Sequence, residues 1–266
     1  LISALVQMAM EAIVCNAVVE NFGRFSPETL KQLVDGFDAA PSRGTVAACI
    51  PAERAFSHDW TLRRIAELQK QNPDNDAKVM EGIRRHFQFN EDPERGATNL
   101  WERLTQASGG TSEGVLRLLH ERAQIYQRIA APLALPFPEC ERQMKEFRDE
   151  IEKSSNPFIS ETVPGFWKAR MKELRVQVYL AMVRAAVEFK LHGEAGLKSV
   201  NDPCGQGPFA FRRFVFEGVD RGFELKSAYD MNGNKAVYIF VEKEGPPFRV
   251  DGPRVGEALP RASVSK

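Results

Sequence analysis

Residues 166–193, FWKARMKELRVQVYLAMVRAAVEFKLHG, decide the fold. Trp167, Met171, Leu174, Val178, Ala181 and Ala185 recur at steps of three and four along one stripe, and Val176, Leu180, Val183 and Val187 along a second. Two stripes cover two faces, so the segment predicts a helix packed on both sides. Between Val178 and Val187 only Arg184 is charged, which places that half in the middle of its domain. Leu180 and Val183 are therefore expected to touch both the N-terminal helices and whatever follows, with Lys168 and Lys190 on the outer surface. His192 and Gly193 mark the C-terminal stop.

Downstream the period changes from helical to alternating. Phe209 and Phe211, Phe214 and Phe216, then Phe223, Leu225 and Tyr229 stand an even number of residues apart, with a phase slip at Arg212-Arg213 that asks for a bulge or turn. FELKSAYD and KAVYIFVEK flank Asn232-Gly233, a pair suited to a tight turn because both residues tolerate positive φ. Both faces of AVYIFV are apolar, which predicts an internal or doubly covered strand. From Gly245 the chain is rich in proline, glycine and charge and predicts an extended or disordered tail.

Upstream the signals are helical. LISALVQMAMEAIVCNAVV is interrupted by Gln7, Glu11 and Asn16 and makes a better amphipathic helix than a membrane span. Ser26-Pro27-Glu28 supplies a cap, a proline at the first helical position and an early acid. TVAACIPAERAFSHDWTLRRIAELQKQ is helical in pattern, with Pro51 kinking or restarting it. KVMEGIRRHFQF reads as a further helical segment, and NEDPERGATN as a surface loop. Gly109-Gly110 breaks the chain before a cap at Thr111 or Ser112, and SSNPFISETVPG reads as a connector into the long helix. The fold class is mainly α: a multi-helix array with a small C-terminal antiparallel sheet packed on the long helix. The expected organisation is a helical region 1–163, a helix-plus-sheet region 164–244 packed with it, and a tail 245–266.

Lys plus Arg and Asp plus Glu both number 36, so there is no global electrostatic case for nucleic acid or an anionic membrane surface. The cysteines at 15, 49, 140 and 204 make no zinc-type spacing. Cys15 and Cys49 sit in apolar helical settings, whereas a bond between Cys140 and Cys204 is conceivable in an oxidising compartment.

The order VEFKLHGE, NDPCGQGPFAFRR, GFELKSAYDMNG resembles the C-terminal half of pseudopilin-type secretion proteins. There a helix ending in His-Gly or Asn-Gly precedes an Asp-Pro-x-Gly-x-Pro turn, an aromatic strand and a Ser-x-Gly-x-Asp-Gly strand end. With ERAF at 53–56 and NPF at 156–158, the chain is more similar still to large envelope proteins of planctomycete-like and verrucomicrobial bacteria that set several helices ahead of such a tail. It departs from the pseudopilin pattern where GEAGLKSV replaces the usual Tyr-Pro after the helix. The resemblance implies an extracytoplasmic, envelope-associated protein with a protein partner, meeting the membrane only through a possible further N-terminal anchor. It also implies calcium as a possible ligand near Asp230, Asn232 and Asn234, although glycine falls fourth rather than sixth there and no acid stands at position twelve.

Candidate chemistry is sparse. Glu53, Arg54, His58 and Asp59 crowd one segment, but Glu53 and His58 lie five apart and about 140° around a helix, which spoils a two-ligand metal face. His120-Glu121 with Gln124 imitates a zinc-protease helix without its second histidine. Arg212 and Arg213 among phenylalanines read as exposed arginines over a core rather than a nucleic-acid platform. Two functions follow: a non-enzymatic envelope binding or assembly protein, or a hydrolase-type enzyme with a site between helices near Glu53, Arg54, His58 and His120. A calcium-stabilised binding module is a third.

Overall fold

The computed structural model describes residues 1–40, 44–87, 100–231 and 234–243. The NEDPERGATN loop, the Asn232-Gly233 turn and the tail 245–266 thus lie outside the described residues. The architecture is mainly α with a small C-terminal antiparallel sheet packed on a long helix, as the hydrophobic periodicity predicts. The helices are α1 (Ile2–Asn21), α2 (Pro27–Ala39), α3 (Val46–Glu53), α4 (Trp60–Gln71), α5 (Asp76–Phe87), α6 (Leu100–Ser108), α7 (Ser112–Ala134), α8 (Glu139–Ile151) and α9 (Pro157–Ser199). The strands are β1 (Ala210–Phe216), β2 (Val219–Met231) and β3 (Asn234–Val241).

The chain forms two compact units: one holds Leu1 and Gly44–Arg170, the other Ile2–Arg43 and the chain from Met171 onward. This differs from the expected division at 163/164, because α1 and α2 group with the sheet. The cause is aromatic packing that periodicity cannot show. Phe22, in a 3-10 turn at the end of α1, meets Phe223 of β2 and Phe240 of β3 with ring centroids 5.8 and 5.0 Å apart.

In the first unit the helix starts are set by side-chain caps. Thr45 Oγ1 accepts from Ala48 N at 3.1 Å, and Thr111 Oγ1 from Gly114 N at 3.1 Å after Gly109 and Gly110 turn the chain with φ of 67° and 73°. Ile65, Leu68, Val79, Ile83, Leu104, Val115 and Leu119 form the core between α4, α5, α6 and α7. Pro51 lies inside α3, and the helical register widens to a π turn over Arg54–Asp59 before α4 begins.

The SSNPFISETVPG connector is helical from Pro157 onward instead. Asn156 is buried and caps α9, its Oδ1 accepting from Phe158 N at 3.0 Å with Pro157 at the first helical position. Its Nδ2 donates to Leu118 O at 2.8 Å and Glu121 Oε2 at 2.9 Å on α7. This cap outweighs the stop signal at Pro164-Gly165. The expected stop at His192-Gly193 is present as a break, Gly193 having φ 63° and ψ −149°, before a last helical segment to Ser199.

In the second unit, Val178, Met182, Val183, Ala185, Ala186 and Val187 of α9 are fully buried. Leu180 is only half-buried, contrary to the expectation that paired it with Val183. Its steps of three and four also join it to Gln177, Arg184 and Glu188, the polar strip of the helix, where Arg184 pairs with Asp38 of α2. Lys190 also departs from its expected surface position. Its Nζ donates to Phe22 O at 3.3 Å and Phe25 O at 3.2 Å and lies 5.0 Å over the Phe22 ring. In urea denaturation, Leu174→Ala, at a site 2% exposed, should lose about 3 kcal/mol and Leu180→Ala only about 1 kcal/mol. Equal losses would mean that Leu180 belongs to the core stripe after all.

The sheet runs β1-β2-β3, so β3 is an edge strand and β2 the central one. Of the two apolar faces of AVYIFV, Ala236, Tyr238 and Phe240 are buried and Val237, Ile239 and Val241 half-buried. The phase slip expected at Arg212-Arg213 falls between Phe214 and Val215. Gly222 in this bulge has φ 152°, and a Cβ there would lie 2.0 Å from Phe240 O, so only glycine fits. The two segments flanking Asn232-Gly233 pair antiparallel, ending with Met231 opposite Asn234.

Candidate functional site

The π turn gathers the polar residues of the first unit. Glu53 Oε1 lies 2.9 Å from the Leu1 amino group, and Arg54 Nε lies 3.6 Å from Asp59 Oδ1. His120 is exposed on α7. His58 turns inward to 1% exposure, its ring 6.0 Å from that of Tyr126, and its Nδ1 is buried without a hydrogen-bond partner. The turn sends Phe56 and Trp60 outward instead, and the Trp60 ring lies 4.5 Å from His86.

The centre of this cluster is Arg122, which sequence reasoning missed. Its Nη2 donates to Ser57 Oγ at 3.1 Å and Tyr126 OH at 2.6 Å, and its guanidinium lies 5.2 Å over the Tyr126 ring and 6.0 Å from that of Phe158. A signal existed: Arg122 and Tyr126 are one helical turn apart, as are Arg175 and Tyr179, where Nε donates to the phenol oxygen at 2.7 Å. Burial is the main cause that lowers the pKa of Arg122 from its ordinary value. Burial also depresses that of His58, helped by Arg122, Arg54 and His120 and opposed by Asp59. A depressed folded-state pKa means that the folded protein resists protonating His58. Its contribution to stability is thus present above the unfolded value, near 6.5, and is lost as pH falls below it. Among the described residues, no serine, threonine or cysteine hydrogen-bonds His58.

In the second unit the NDPCGQGP segment is organised by Asp202, which is buried. Oδ1 accepts from Cys204 N at 3.0 Å and Ser227 Oγ at 2.8 Å, and Oδ2 from Ala228 N at 2.6 Å. Ser227 Oγ in turn accepts from Tyr229 N at 2.9 Å. The carboxylate thereby fixes β2 where its pairing with β3 is interrupted between Lys226 and Asp230. Asp230 stands opposite Lys235 in the strand register, Asn234 opens β3 and Asn232 lies outside the described residues. Among the described residues no group of three or more His, Cys, Asp or Glu could hold a metal ion. Cys15, Cys140 and Cys204 are buried and Cys49 half-buried, and none of the four is in a disulfide. Arg212 pairs with Glu224 at 2.7 Å, and Arg213 with Asp220 at 2.9 Å and Glu242 at 3.0 Å.

The largest apolar exposure is on α1. Ile2, Val6, Met10, Ile13 and Val14 are 42–78% exposed, at steps of three and four along one face. Ala4, Met8, Cys15 and Val18 are buried on the other. By length and composition Ile2–Arg24 could cross a membrane, its most apolar 18-residue stretch having a mean hydropathy of 1.8 despite the polar interruptions at Gln7, Glu11 and Asn16. No family model, curated protein or solved structure matches the chain.

Proposed function

We propose that the protein acts by binding, as an envelope-associated assembly protein on the extracytoplasmic side, and that the outer face of α1 joins it to an apolar helix of a protein partner. The observation that carries this is the row Ile2, Val6, Met10, Ile13 and Val14, open along one face of a helix whose other face is buried. The row offers on the order of 500 Å² of apolar surface, at the upper end of what monomers leave bare. Two such faces together would bury roughly 1,000 Å², enough for a specific interface, so a second copy of α1 is the simplest partner helix. Glu11 and Glu20 are the only charged residues of α1, and no lysine or arginine in it could meet acidic lipid, which favours protein over an anionic membrane surface. The envelope placement rests on the resemblance of the His192-Gly193, NDPCGQGP and Asn232-Gly233 segments to pseudopilin-type tails.

The test is sedimentation equilibrium of the full chain at micromolar concentration. The expected result is a dimer or larger species that becomes a folded monomer in the double variant Met10→Lys/Ile13→Lys. A wild-type chain that stays monomeric, or a double variant that still associates, would overturn the self-association reading.

A further inference from the structure

We infer that the π turn of the first unit is a binding site for a small oxyanion, the carboxylate or phosphate group of a ligand, held by Arg122, Tyr126, Ser57 and His58. Donors without acceptors define the site. The Nε of Arg122 is buried and unpartnered, and the whole side chain has no acidic partner among the described residues. Tyr126 OH and Ser57 Oγ both accept from Arg122, so the hydrogen of each hydroxyl remains to be donated. His58, 1% exposed, adds a buried ring nitrogen that makes no hydrogen bond. The Ser57 carbonyl already accepts from Thr61 Oγ1 at 2.5 Å. The one carboxylate of the π turn, Asp59, is turned to Arg54.

An arginine does not shed its charge in a protein, and a desolvated charge without a counter-ion is costly. The charges that act on His58 are mostly positive, Arg122, Arg54 and His120 against Asp59 alone, while Glu53 is taken up by the Leu1 amino group. An anion would supply what the cluster lacks: negative charge and several acceptor oxygens at once. The Nε hydrogen of Arg122 and the two hydroxyl hydrogens are separate donors, which favours a group with several oxygens, such as carboxylate or phosphate, over a halide. The π turn supplies the geometry, carrying Ser57 and His58 next to Arg122 on α7. Such turns recur at functional sites because the widened register redirects side chains that a regular helix would space elsewhere.

The test is titration calorimetry of the full chain with inorganic phosphate and, separately, with acetate, each against sodium chloride of equal ionic strength. Saturable binding of one or both anions is expected, weakened at least tenfold in Arg122→Met and several-fold in Ser57→Ala, the second being the variant least able to disturb folding. Tighter phosphate binding would identify a phosphate-bearing ligand, and tighter acetate binding a carboxylate such as a peptide end. Absence of binding by either anion to the wild type, or unchanged binding in both variants, would overturn the inference. Neither result bears on association through α1.

Discussion

Truncation of Phe223 to alanine is expected to lower the unfolding free energy by about 4 kcal/mol, the range for emptying a buried phenylalanine site. Phe223 is fully buried in the central strand, and four rings surround it: Phe189 at 4.8 Å, Phe240 at 5.1 Å, Phe211 at 5.5 Å and Phe22 at 5.8 Å between centroids. They come from α9, β3, β1 and the turn after α1, so one side chain joins the sheet, the long helix and the end of α1. Each offset or edge-on ring pair adds roughly 0.5–1.5 kcal/mol beyond its buried area, and the stiff rings have little freedom to close the gap. Phe223→Leu should recover part of the loss by refilling much of the volume. Denaturant midpoints decide the matter: an alanine variant that unfolds with the wild type would show that this cluster is not the core.

The second large effect is expected at Asp202. Replacing it by alanine should cost on the order of 4 kcal/mol, because two buried donors, Cys204 N and Ser227 Oγ, lose their acceptor at about 1–3 kcal/mol each, and the partly buried Ala228 N loses its own at a smaller cost. Asp202→Asn should retain some of this, although an amide presents hydrogens to at least one of the same donors. Beyond the midpoint shift, amide hydrogen exchange should quicken at Cys204 and Ala228 while Val183 stays protected. Unchanged exchange at both amides would show that Asp202 does not hold this part of β2.

Local chemistry was legible in the sequence wherever a short-range rule decided the outcome. Ser26 and Thr111 cap their helices as composition suggests, and Gly193 interrupts α9 where its residue type demands. The fold class followed from one change of period, from three-and-four to two. What escaped needed partners distant in the chain. Leu180 satisfies a core stripe and a polar strip equally well, and only the packing of α9 chooses between them. The buried cap at Asn156 depends on carbonyl and carboxylate acceptors on α7, so no local rule could weigh it against Pro164. Arg122 became visible only once Ser57 and Tyr126 lay on either side of it, because an arginine on a helix otherwise reads as solvated.

The placement of the aromatic residues gives each unit its own optical signature. All three tryptophans, Trp60, Trp101 and Trp167, lie in the first unit, whereas three of the four tyrosines, Tyr179, Tyr229 and Tyr238, lie in the second. Tryptophan fluorescence therefore follows one half of the fold, and near-ultraviolet dichroism of the stacked Tyr179-Tyr238 pair, 4.5 Å between centroids, follows the other. The natural chain thus carries two built-in reporters, and comparing their melting curves measures whether it unfolds in one cooperative step or in two.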